Sequence, residues 1–337
     1  MEYVVSMKLL VRAAPEDKRM GLLRAHLTTD WEIESVRPDG DPALLAAQME
    51  GADAMISMRW PADWPRPERL RLIQLPGAGY DAIAFSALPP NASVCNVYEH
   101  EIGIAEFVFA AMLEREIGLR RMDDMARVGD WSLSIMAGGP MHGELFGKTL
   151  GIVGFGRIGI ETARRARAFG MKVIAATRSP DRHREEADRI DGMDSLDDLL
   201  GEADYVLVCC PLTARTKGLI DRAALGRMKG DAVIVNVGRG PLIDEDALYE
   251  ACRDKRIGGA IIDVWYNYPA GGRVTGVPPS RHPFQDLDNV LMSPHTSGAT
   301  TGLFPRRYRR IADNLDRLAR GEPLINLLYT PGGTPPE

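Results

Sequence analysis

The stretch TLGIVGFGRIG, Thr149 to Gly159, decides how the rest of the chain is read. Thr149 to Val153 is a short apolar run of the kind that forms a strand covered on both faces. Arg157 to Phe169 then reads as a helix. Between them Gly154, Gly156 and Gly159 fall at G-x-G-x-x-G spacing. That spacing means little in isolation, but between a strand and a helix it has a mechanism. Gly154 permits the tight turn, Gly156 lets a pyrophosphate approach the backbone, and Gly159 lets helix and strand pack closely. The first turn of the helix adds unpaired N–H groups and a partial positive charge. Gly154, Gly156, Arg157, Ile158 and Gly159 are therefore candidate dinucleotide-binding residues. The alternative is a tight βα turn that binds nothing.

The next strand, KVIAAT (Lys172 to Thr177), should end at the ribose of such a ligand. An acidic residue about 20 residues past the glycines would accept the NAD ribose hydroxyls. Here Thr177, Arg178 and Ser179 stand instead, with no carboxylate among them. Arg178 suits a 2′-phosphate, with Thr177 and Ser179 donating from hydroxyls. Arg182, His183 and Arg184 add positive charge. The pattern points to NADP, with NAD as the alternative if these are solvated loop charges.

Outward from this unit, short apolar runs alternate with helical patterns along the chain. Met7–Ala13, Trp31–Val36, Ala54–Met58 and Leu72–Pro76 read as strands on the N-terminal side. A long helical pattern follows from Ile104 to Val128, with Leu119 and Met122 continuing its apolar face. Tyr205–Cys210, Ala232–Val237, Ala260–Val264 and Val290–Ser293 extend the strand series beyond the glycine turn, and Arg306 to Arg320 is a last helix. A βαβα rhythm implies doubly wound parallel sheets, because parallel neighbours need crossovers. The 337 residues suffice for two domains, and 45% hydrophobic with 26% charged is a globular proportion. A net charge of −6 leaves no electrostatic footprint for nucleic acid. No apolar window is long enough for a membrane span. The four cysteines lack metal-type spacing and read as reduced thiols of a cytoplasmic chain.

Three strand ends carry polar residues that a packed core does not require. NVGRG sets Arg239 between glycines, IIDV places Asp263 in an apolar run, and SPHTSG puts His295 just past a strand. Ligands of open α/β sheets bind beyond the carboxyl ends of strands.

With PGAGYD (Pro76 to Asp81), AEFVFAAML (Ala105 to Leu113), the ADYVLVCCPLTARTKGLID stretch (Ala203 to Asp221) and NVGRGPLIDEDAL (Asn236 to Leu248) in the same order, the sequence resembles the D-2-hydroxyacid dehydrogenase family over nearly its whole length. The resemblance implies a fold of two doubly wound α/β domains. A Rossmann cofactor domain, residues 100–295, is inserted into a flavodoxin-like substrate domain made of residues 1–99 and 296–337. It implies that Arg239 clamps the substrate carboxylate and carbonyl. It implies that His295 exchanges a proton with the carbonyl oxygen, and that Asp263 holds the nicotinamide carboxamide. Ala78 and Gly79 match the loop whose N–H groups receive the substrate carboxylate. Pro211, Thr216, Val237 and Gly238 match cofactor-lining positions. The long helix from Ile104 and the Gly129–Trp131 segment resemble the family's dimerisation region, so a homodimer is expected. The segment after the second strand resembles hydroxypyruvate reductases, which implies glyoxylate or hydroxypyruvate as substrate.

The sequence departs from the family at one position. A Glu that ordinarily pairs with the catalytic His is replaced by Tyr268, in Asp263-Val264-Trp265-Tyr266-Asn267-Tyr268-Pro269. A phenol can hydrogen-bond an imidazole without supplying charge, so His295 is expected to hold its proton less tightly. Formate dehydrogenases of the same superfamily also lack that Glu and share the DVW and PHxSG segments. Formate oxidation is thus one alternative, and a non-catalytic dinucleotide sensor of the corepressor kind is another.

Overall fold

The computed structural model describes residues 6–13, 17–36, 42–181, 184–270, 272 and 274–336. Its contacts divide the chain into two compact units, Met1–Glu99 with Thr300–Glu337, and His100–Ala299.

The first unit begins with β1 (Met7–Val11), α1 (Lys18–His26), β2 (Trp31–Ser35), α2 (Pro42–Glu50), β3 (Ala54–Ile56), β4 (Leu72–Gln74) and β5 (Ser93–Cys95). The second unit follows with α3 (Glu101–Ile117), α4 (Leu119–Arg127), β6 (Thr149–Val153), α5 (Arg157–Ala168), β7 (Lys172–Ala176), β8 (Arg189–Asp191), α6 (Leu196–Glu202), β9 (Tyr205–Val208), α7 (Arg222–Leu225), β10 (Val233–Asn236), α8 (Glu245–Arg253), β11 (Gly259–Ile262) and β12 (Val290–Met292). The chain then returns to the first unit as α9 (Leu303–Arg320) and β13 (Leu327–Tyr329).

The first sheet runs β13-β5-β4-β3-β1-β2, parallel except for β13, which pairs antiparallel with β5. Its first five strands have the flavodoxin-like order. The returning segment is bolted to it through buried amides. Asn314 of α9 donates to Gln74 Oε1 at 2.8 Å, and Gln74 in turn donates to the backbone oxygens of Leu75 and Cys95. Such groups are tolerated in a core only when paired.

The second sheet runs β12-β11-β10-β9-β6-β7-β8, parallel throughout. From β6 the chain steps outward to β7 and β8, then crosses to β9 and proceeds the other way. The order reverses between β6 and β9, which is where ligands of doubly wound sheets bind. β9, β10 and β11 are buried along their full length. Helices cover both faces, which is why these runs do not alternate polar and apolar residues.

The long helical pattern Ile104 to Val128 is two helices, not one. Gly118 adopts φ +66° and ψ +40°, and its N–H caps α3 on Glu114 O at 2.8 Å. A glycine takes this left-handed conformation without the Cβ penalty, so the helix stops there. The break rotates α4 off the buried face, and Leu119, expected in the core, is 64% exposed. Among the described residues no helix is long and apolar enough to cross a membrane.

Candidate active site

The glycine turn lies at the switch point of the second sheet. Gly154 has φ +97°, and a Cβ there would come within 2.7 Å of the Cys210 backbone. A Cβ on Gly159 would lie 2.8 Å from Gly154 O. Both outer glycines are thus demanded by close packing. Around Gly156 the situation is reversed, since a Cβ there would meet no atom within 4 Å. The open space faces the first turn of α5, where the amides have no helical acceptor. This shape fits a dinucleotide diphosphate. Arg157 is exposed on the same turn, 3.7 Å from Glu101 of α3, while Ile158 packs at the edge of the core.

Beyond β9 the loop at Pro211 is shaped by Thr216, whose hydroxyl donates to Pro211 O and accepts from Thr213 N–H, each at 2.7 Å. Val237 and Gly238 are buried at the end of β10. At the end of β7, Thr177 N–H donates to Asp191 O at 3.0 Å, and the side chains of Arg178 and Ser179 are exposed. The nearby Asp191 carboxylate is engaged by Arg189 Nε at 2.7 Å. Arg182, His183 and the Arg184 side chain lie outside the described residues.

Arg239, Asp263 and His295 follow three neighbouring strands, β10, β11 and β12. Arg239 has extended backbone, and Asn236 ties its turn by donating to Arg239 O and accepting from Gly238 N–H. A Cβ on Gly240 would lie 2.3 Å from Trp265 O, so the glycine after Arg239 is required for the β10 and β11 ends to meet. Asp263 is fully buried. Its carboxylate accepts from Ser293 Oγ at 2.6 Å, Thr296 N–H at 2.8 Å, Ser297 N–H at 3.1 Å and the Ser297 hydroxyl. Sequence reasoning misses this role, although the serines of SPHTSG are its signal. The four donors straddle His295, which is held at φ +56°. A non-glycine residue there costs about 1–3 kcal/mol and persists only when its surroundings enforce it. The division between units falls after Ala299, beyond this tethered turn.

His295 titrates below the ordinary imidazole range. Loss of hydration around the ring is the main cause; Asp263 pulls the other way, and the Arg239 guanidinium reinforces the depression. Tyr268 packs on it with ring centroids 5.5 Å apart at 56°. The Tyr268 hydroxyl accepts from Trp265 N–H at 3.1 Å, and Trp265 Nε1 donates to Ser293 O at 2.8 Å. The loop carrying Tyr268 is closed at its base, where Tyr266 and Asn267 N–H both donate to Pro279 O. Ser280 and Arg281 then bind Glu245 and Asp246 of α8.

In the first unit, the Ala78–Gly79 loop follows β4. Asn96 Nδ2 donates to Ala78 O at 2.9 Å, which fixes the loop's path.

A parallel sheet with a diphosphate-shaped glycine turn at its switch point defines a dinucleotide-binding class of protein. Residues 109–297 match the family model for the D-isomer specific 2-hydroxyacid dehydrogenase NAD binding domain. The chain belongs to the D-isomer specific 2-hydroxyacid dehydrogenase family. A glyoxylate reductase of Thermococcus kodakarensis is 32% identical over 325 residues, 93% of each chain. A D-3-phosphoglycerate dehydrogenase of Methanocaldococcus jannaschii is 32% identical over 79% of this chain, which spans only 49% of that relative's length. A family member from Xanthobacter autotrophicus, solved with NADPH and MES, superposes with a TM-score of 0.75 at 25% identity, over 96% of this chain and 98% of that one.

Placing a carboxylate beside His295 should reverse the depression. In Tyr268→Glu the imidazole is expected to titrate at higher pH than in the wild type, as followed by NMR of the ring protons. Coincident titration curves would show that Tyr268 does not govern this group.

Proposed function

We propose that this chain interconverts a small 2-keto acid and its D-2-hydroxy acid. The reading is carried by Arg239, Asp263 and His295 at three adjacent strand ends beside a turn shaped for a diphosphate. The bound nicotinamide supplies or accepts the hydride at the substrate carbon. Gly154, Gly156, Arg157, Ile158 and Gly159 would hold its diphosphate, with Pro211, Thr216, Val237 and Gly238 lining the rest; Asp263, expected at the carboxamide, instead commits its buried carboxylate to Ser293, Thr296 and Ser297 and positions His295. Arg239 binds the carboxylate and carbonyl through its planar fork. Ala78 and Gly79 receive the carboxylate through backbone N–H groups. His295 gives its ring proton to the carbonyl oxygen during reduction and removes it during oxidation. Because its pKa is depressed, the imidazolium needed for reduction is lost as pH rises through a value below the ordinary imidazole range. The neutral ring needed for oxidation survives to the same low pH.

NADP is the cofactor we favour, held by Thr177, Arg178 and Ser179. Asp191, the carboxylate nearest to the end of β7 along the sheet, is already engaged with Arg189, and the Xanthobacter relative was solved with NADPH. We also read the chain as a homodimer. Val128, Trp131, Ile135, Met136, Met141 and Phe146 are each at least 73% exposed within one stretch, and a second copy is the occupant the family resemblance implies. The described cysteines are all free, and burial pushes the Cys95 and Cys252 thiols up to about 12. Such thiols suit a chain kept reduced in the cytoplasm.

Steady NADPH oxidation is expected with glyoxylate or hydroxypyruvate, with kcat/KM falling at least ~100-fold in Arg239→Ala and in His295→Ala. Cofactor binding without turnover would instead mark a sensor of the corepressor kind. In Arg178→Ala the preference for NADPH over NADH, read as the ratio of kcat/KM values, should fall about tenfold or more, the equivalent of ~1.4 kcal/mol. An unchanged ratio would favour NAD. Sedimentation equilibrium should give twice the chain mass for the wild type and a lighter species for Trp131→Asp/Met136→Asp; a monomeric wild type would remove the dimer.

A further inference from the structure

The three strands that lead to Arg239, Asp263 and His295 are parallel, so their first residues share the opposite edge of the sheet. There a cleft of about 360 Å³ opens among the residues that precede β10, β11 and β12. Its volume is at the small end of the range for small-molecule sites. Close backbone contact builds its walls. A Cβ on Gly258 would collide with Asp231 O, and one on Gly259 with Asn289 O. Gly258 N–H donates to Ala232 O at 2.8 Å and Ala260 N–H to Asn289 O at 3.0 Å, so the three strand starts are tied to one another.

Asn289 lines this cleft and is 9% exposed. Its Nδ2 donates to Cys252 O at 3.0 Å, which fixes the other end of the amide as the oxygen. That oxygen, Oδ1, is buried and accepts no hydrogen bond among the described residues. A buried carbonyl oxygen without a donor is destabilising, and one beside a cleft marks where a donor is to be supplied.

Four described charged side chains line the cleft, and only two of them pair. Lys255 Nζ donates to Asp288 Oδ2 at 3.2 Å. Arg115 Nη2 donates to Gly258 O at 2.6 Å, which holds the guanidinium at the rim and neutralises none of its charge. Asp231 forms no ion pair with Arg115 or with any other described residue. A guanidinium and a carboxylate that share a small cleft, too far apart to pair with each other, are complementary to a molecule carrying both charges. A carboxylate suits the planar fork of Arg115. An ammonium has three donors, enough for Asp231 and for the bare oxygen of Asn289. Ile257, buried, is the one apolar side chain among the described lining residues, so the cleft has room on its apolar side for a short group only.

We propose that this edge of the second unit binds a free α-amino acid with a small side chain, its carboxylate on Arg115 and its ammonium between Asp231 and Asn289 Oδ1. The cleft lies across the sheet from the proposed site of hydride transfer, and its ligand is independent of that reading.

Isothermal titration calorimetry of the full chain with L-alanine tests this. Alanine should bind saturably, with a Kd of about 1 mM or tighter. Arg115→Gln and Asp231→Asn change exposed side chains, so both variants should fold, and each should weaken binding at least tenfold. Propionate and ethylamine keep one charged end of alanine each, and both should bind at least tenfold more weakly than alanine. An amino acid also resembles the 2-hydroxy acid of the proposed reaction, so the titration is repeated in Arg239→Ala, where the affinity for alanine should be unchanged. Four results overturn the proposal: no saturable binding, binding that either cleft substitution leaves intact, binding that is lost in Arg239→Ala, or propionate or ethylamine binding as tightly as alanine. None of them bears on turnover of a 2-keto acid, so the dehydrogenase reading stands or falls separately.

Discussion

The buried carboxylate of Asp263 is the constraint on which the second unit's site depends. A charge removed from water is stable only when its oxygens are fully solvated by protein donors. Here the donors come from Ser293, Thr296 and Ser297, on both sides of His295. One interaction therefore satisfies the carboxylate, bends the chain into a left-handed turn and aims the imidazole. The hydrogen bonds to Asp263 offset both the strain at His295 and the cost of burying the carboxylate.

Around that anchor, aromatic residues take over work that charge does elsewhere. Trp265 holds the backbone just before His295 through its indole N–H, and Tyr268 holds Trp265 through its hydroxyl. The imidazole is thus held by packing and by dipoles as well as by the Asp263 turn, with the Arg239 guanidinium, two strands away at the end of β10, pressing on its proton affinity.

Much of this was legible along the chain. The glycine turn could be read because its three positions are local and each has a separate steric reason, which the Cβ distances at Gly154 and Gly159 reproduce. The doubly wound sheets followed from alternating apolar runs and helices. The strands β5, β8 and β13 were not legible: they are as short as β3, β4 and β12, but β5 and β8 sit among polar residues, and β13 pairs antiparallel with a strand far away in sequence. The break at Gly118 was overlooked because a lone glycine fits a helical pattern as readily as it ends one. Arg239 and His295 stood out as polar residues at apolar strand ends. The tethering by Asp263 did not, because its donors lie about thirty positions away and meet it only once β11 and β12 pair.

The closed base of the loop beyond Trp265 has its own consequence. With Tyr266 and Asn267 both anchored on Pro279 O, and Ser280 and Arg281 fastened to α8, the chain enters and leaves this excursion at fixed points. Tyr268 lies just inside this excursion and packs on the imidazole, so only the residues beyond it are removed from His295. Loop-closure entropy grows only slowly with length, so residues added or removed there change the outline of the molecule at little thermodynamic expense, and the region is a natural place for related chains to diverge or for a foreign peptide to be grafted.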